Sequence, residues 1–115
     1  MPSVQEHADQ AANNHALLSE QIMVSNATHY PDWVVTVSFY TAVHVVEREL
    51  ERRHKIHSRN HDERKHLIDT HFPHIRAEYE YLRNESRLSR YRCYAHAPYQ
   101  LQLILHTLQE IETRI

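Results

Sequence analysis

Apolar residues recur at helical intervals along most of the chain. Val4, Ala8, Ala11, His15, Leu18 and Ile22 follow one another at alternating steps of four and three, one stripe down a helix. Ser3 precedes the stripe, and with Glu6 it forms a capping box that fixes the helix start. The stretch 26–32, which includes Asn26, Pro31 and Asp32, breaks the pattern. From Trp33 to Val46, ten of fourteen residues are apolar, so this segment is expected to be enclosed on most sides. Its Val-rich start has the look of a strand. However, the run continues to about Arg53 without a turn residue, too far for an ordinary strand, and it predicts the central helix of a bundle.

Residues 54–60 form a basic connection. Asn60 with Glu63 predicts the cap of a short helix running to about His71, which Pro73 ends. A fourth helix is expected over roughly 74–90, with Ile75, Tyr79, Leu82 and Ser86 on one face and Arg76, Arg83, Arg87 and Arg90 on the other. Residues 91–97 read as a loop. Pro98 then opens a last helix striped by Leu101, Ile104, Leu108, Ile111 and Ile115. The pattern predicts one all-α domain over 1–115, four-helix-bundle-like, with four long helices and one short one.

Composition narrows the chemistry. The chain has 115 residues and no glycine, where average usage gives about eight. A P-loop, a dinucleotide fingerprint, a G-x-S-x-G elbow and an EF-hand loop each need a residue without a Cβ, so all are excluded. The formal charge of −2 hides an asymmetry. Residues 1–47 hold five acids and no Lys or Arg, whereas residues 48–92 hold 12 of the 13 basic residues against eight acids. That excess points to an anionic partner met by one face. The single Cys93 fits a reducing, cytoplasmic setting. The first residues lack the pattern of a signal peptide, and no apolar run is long enough for a membrane span, so no membrane partner is expected.

Three groups of residues carry candidate chemistry. Tyr40, His44 and Glu47 fall at i, i+4 and i+7 on one stripe of the central helix, where buried polar tips need partners. The basic connection and short helix supply Arg53, His54, Lys55, His57, Arg59, Asn60, His61, Arg64, Lys65 and His66 around a helix N-terminus suited to phosphate. Around the end of the fourth helix, Arg83, Arg87, Arg90 and Arg92 interleave with Tyr91, Tyr94, His96 and Tyr99. Such a mixture offers charge for a nucleic-acid backbone and rings for its bases. The pairs His44/Glu47 and His106/Glu110 are spaced like bundle metal ligands, but the di-iron E-x-x-H order is absent and no metal or cofactor is assigned.

The segments Phe39-Tyr40-x3-His44-x2-Glu47, Lys55-Ile56-His57-Ser58, and Tyr81-Leu82 followed by Arg90-Tyr91 carry a family resemblance. In that order, over about residues 30–110, the chain resembles the HEPN superfamily of small helical nucleotide-binding domains, nearest an uncharacterised bacterial and archaeal branch. The resemblance implies a helical bundle, commonly a homodimer, that binds RNA or nucleotides. Many members are metal-independent ribonucleases, often toxins, built on an R-x4-6-H motif with Asn, Asp or His after the arginine. Here that motif falls on Arg59, Asn60 and His66, or on Arg90 and His96 with Tyr91 after the arginine. In a ribonuclease the arginine would steady the phosphate and the histidine would move protons. RNA or nucleotide contacts are expected from Tyr40, His44, Glu47, His57, Arg64, Arg83, Arg87 and Tyr91. The alternative is a non-enzymatic helical module that binds a protein partner or dimerises.

Overall fold

The structure, a computed structural model, describes residues 2–19, 31–92 and 94–115. Its elements are α1 (Val4–Leu18), α2 (Pro31–His54), α3 (His61–His71), a 3-10 turn (Pro73–Ile75), α4 (Arg76–Tyr91) and α5 (Pro98–Arg114). The fold is all-α, and no strand occurs among the described residues. Helix α2 is the axis, packed against α1, α4 and α5.

Local chemistry sets the helix ends. The Ser3 hydroxyl accepts the Glu6 amide and the Glu6 carboxylate accepts the Ser3 amide, each at 3.1 Å, completing the expected capping box. Asn60 accepts the Glu63 amide at 2.8 Å and starts α3. Pro73 ends that helix and opens the 3-10 turn. At the start of α5 the Gln100 side chain accepts the Ala97 amide at 2.7 Å. Arg114, at its end, donates to Glu78 at 2.6 Å and to the His74 carbonyl at 2.7 Å, tying α5 to the start of α4.

Among the described residues the absence of glycine has one visible cost. Helix α2 closes through Lys55, whose φ of 56° lies in the left-handed region, while the Ile56 amide reaches back to the Leu50 carbonyl at 3.4 Å. This is the place a glycine usually takes after a helix, and a Cβ there is disfavoured. Lys55→Gly should therefore stabilise the fold by about 0.5–1 kcal/mol, because relief of the left-handed penalty exceeds the added freedom of the unfolded chain. Urea unfolding of the two proteins checks it, through a higher midpoint at unchanged slope.

The core runs along α2 through Val35, Phe39, Ala42, Val46 and Leu50, and meets Tyr79 and Leu82 of α4 and Ile104, Leu108 and Ile111 of α5. The α4 and α5 stripes sit as their spacing predicts. The α1 stripe is rotated. Its enclosed positions are His7, Ala11 and Leu18, while His15 is exposed and pairs with Glu112 of α5 at 2.5 Å. A stripe of apolar residues alone omits His7, a polar side chain that holds a core position. Ile22 of the expected stripe lies outside the described residues.

Candidate nucleic-acid interface

Of the eleven arginines, seven have a carboxylate partner within 4.0 Å among the described residues. Arg48, Arg52 and Arg53 surround the enclosed Glu49, and the hydrogen bond from Arg52 holds its carboxyl down to about 2. Arg59 pairs with Glu63 at 2.9 Å, Arg64 with Glu47 at 2.8 Å, Arg76 with Asp69 and Arg114 with Glu78 at 2.6 Å each. The four that find no carboxylate among the described residues are Arg83, Arg87 and Arg90, which run from the middle of α4 to its last turn, and Arg92 just beyond it. Three of them, with His61 and Tyr91, line a cleft of about 440 Å³ between α3 and α4.

Within the cleft the arginines are unequal. Arg90 is fixed: it donates to the Tyr40 hydroxyl at 2.8 Å and lies over the rings of Tyr40 and Tyr91, 5.5 and 5.1 Å from their centroids. Arg83 and Arg87 carry no such tether among the described residues. Tyr91 is 71% exposed, a ring available for stacking beside the charge. His61 stacks against Phe39 and its Nδ1 lies 3.0 Å from Arg64 Nη1, so the guanidinium donates and the imidazole carries its proton on Nε2. Burial, and then the charges of Arg64, Arg83 and Arg90, hold His61 below the ordinary imidazole range. A neutral His61 beside three cations is a hydrogen-bond donor suited to an anionic oxygen.

The Tyr40, His44 and Glu47 stripe separates into three environments. Tyr40 is partly exposed at the cleft. The half-buried His44 faces the enclosed His7 across 2.9 Å between their Nδ1 atoms. One proton serves that contact, and burial lowers both pKa values. Glu47 is enclosed and accepts from Arg64 Nε, from the Ser58 hydroxyl and, at 3.4 Å, from the Ser58 amide. His57 turns one nitrogen toward Glu51 at 2.6 Å.

The two R-x4-6-H spacings are not brought together. Arg59 is 83% exposed, its guanidinium on Glu63, and Asn60 is spent as the α3 cap. His66 is exposed on α3. His96 has a fully enclosed side chain with Nε2 2.6 Å from Glu85, and it does not line the cleft that Arg90 lines. Of the expected contact residues, Arg83, Arg87 and Tyr91 share the cleft, together with the motif arginine Arg90, and Tyr40 adjoins it through Arg90. Glu47 and Arg64 form an enclosed pair behind it, the partly buried His57 turns to Glu51, and His44 faces His7. His61, which the sequence offers only as one of many basic residues of the connection and short helix, lines the cleft. No helix among the described residues is long and apolar enough to cross a membrane. No family model, no curated protein and no solved structure matches the chain.

Proposed function

We propose that this chain is an RNA- or nucleotide-binding helical domain of the HEPN kind, holding a ribose-phosphate strand in the cleft of His61, Arg83, Arg87 and Arg90. The observation that carries the reading is the sorting of the arginines: those outside residues 83–92 are paired with carboxylates, and those that find none among the described residues gather around an exposed tyrosine. An arginine that only solubilises a helix is as well served by a partner one turn away. Tyr91 gives the bases a face, and Arg90, braced between two rings, orients the phosphate for its two untethered neighbours.

Binding is favoured over cleavage. The imidazole paired by spacing with Arg90 is enclosed and held by Glu85, and the arginine paired by spacing with His66 is engaged by Glu63. His61 presents Nε2–H, a donor, so it is poorly placed to remove a proton from a ribose hydroxyl. Labelled single-stranded RNA, titrated with protein in EDTA, tests this by anisotropy and by gel. The expected result is saturable binding of intact RNA, with a log–log salt slope of about −2 for three neutralised phosphates. Absence of binding at low salt would overturn the reading. Cleavage that is lost in His66→Ala or His96→Ala would replace it with the ribonuclease.

The same cleft predicts a pH dependence. A bound phosphodiester offsets the charges of Arg64, Arg83 and Arg90, so His61 holds a proton more readily in the complex than in the free protein, where its pKa is lowered. Linkage then requires binding to tighten as pH falls below about 6.5, by up to roughly tenfold per unit of pKa difference. His61→Asn should flatten that part of the profile, measured by anisotropy at constant ionic strength.

A further inference from the structure

We propose that His7, Glu47 and His57 form a binding site for a first-row transition metal, Zn2+ in the first instance, behind the arginine cleft. Three separate segments supply the trio: His7 from α1, Glu47 from α2 and His57 from the connection to α3. One ligand atom from each lies within 4.8 Å of the others, and His7 and Glu47 are both enclosed. Ligand atoms on a tetrahedral zinc stand about 3.4 Å apart, so binding would draw the three inward by up to about 1.4 Å.

Each ligand already has the outer partner that metal ligands require. His57 engages Glu51 through Nε2 at 2.6 Å, while its Nδ1 is buried with no hydrogen-bond partner among the described residues. A carboxylate on one ring nitrogen and a free lone pair on the other is the arrangement that orients a metal-binding imidazole. His7 meets His44 through Nδ1, and in the tautomer in which His7 Nδ1–H donates to His44 its Nε2 lone pair is left for coordination. Glu47 is held through Oε1 by Arg64 and Ser58, and among the described residues its Oε2 receives only the long contact from the Ser58 amide. Two neutral imidazoles and one carboxylate suit zinc, cobalt or nickel better than magnesium or calcium, and leave a fourth position for water. The Arg64 guanidinium on the same carboxylate weakens it as a donor, so a dissociable ion is expected rather than one locked in during folding.

This site is independent of the RNA reading, because that binding is measured in EDTA. Tag-free protein stripped with EDTA is titrated with Co2+ and followed by visible absorption, then with Zn2+ by calorimetry. The expected result is one saturable equivalent with the intense bands of low-coordinate Co2+. His57→Gln should lose it and the exposed-site control His106→Gln should keep it, with circular dichroism confirming that both variants are folded. X-ray absorption on the zinc-loaded wild-type chain should give a first shell containing two imidazoles and oxygen, and this decides the matter if His57→Gln fails to fold. No saturable equivalent, an equivalent that survives in folded His57→Gln, or a shell of three or more imidazoles would overturn the proposal.

Discussion

Arg87→Glu should weaken RNA binding at low salt by at least about tenfold and reduce the steepness of its salt dependence. Replacing the cation removes one neutralised phosphate, worth about 0.7 in the log–log slope for a single strand. The new carboxylate also repels the neighbouring phosphates inside a cleft that concentrates the field. Fold stability should change little, since Arg87 has no carboxylate partner to lose among the described residues and lies on the exposed face of α4. The matched control is Arg59→Glu, the same charge change at the motif arginine that Glu63 already engages. Its affinity should remain within about twofold of wild type after correction for net charge. Comparable losses in the two variants would show that the whole basic segment acts as a diffuse field, with no defined cleft.

Arg64→Met should cost about 3–5 kcal/mol of stability, because it leaves the enclosed Glu47 charge without its cation. The Arg64 and Glu47 side chains are 12% and 5% exposed, so solvent screens the pair weakly. Ser58 alone would then have to stabilise the carboxylate. For a chain of this length the loss corresponds to a fall in Tm of roughly 10–25 °C. Arg64→Met combined with Glu47→Gln removes both charges, and the double variant should be more stable than Arg64→Met alone. Thermal melts followed by circular dichroism at neutral pH check both statements. If the double variant is less stable than either single one, packing rather than charge dominates at this site.

The parts of the fold that announce themselves in the sequence are those in which one physical rule acts without competition. The α5 stripe of Leu101, Ile104, Leu108 and Ile111 and the Asn60 cap of α3 are of this kind. The α1 face departs from its apolar pattern because His7 sits in the core through a hydrogen bond to a distant histidine, which no local pattern reveals. The arginine cleft is half legible. Arg87 has Arg83, Asn84, Arg90 and Tyr91 at its helical i±3 and i±4 positions, with no acid among them, whereas Arg52 and Arg53 both have Glu49. The contrast holds for Arg87 against Arg52 and Arg53 but not throughout: Arg83 has Glu80 at i−3 and forms no ion pair with it, and Arg64, with no acid one turn away, is neutralised by the distant Glu47. The contribution of His61 depends on how α3 folds back against α4, a long-range fact that the spacing of residues does not contain. For the same reason neither R-x4-6-H spacing identifies a cleft: histidine and arginine are so frequent here that spacing alone carries little information.

The claim that anions are bound at the C-terminal end of α4 is tested most directly by nuclear magnetic resonance of the arginine Nε–Hε and histidine ring signals during titration with a short single-stranded RNA. Arg83, Arg87, Arg90 and His61 should shift together and saturate at one stoichiometry, while Arg59, Arg76 and His66 stay in place. Shifts centred on Arg59 and His66, or spread evenly over all the arginines, would contradict it.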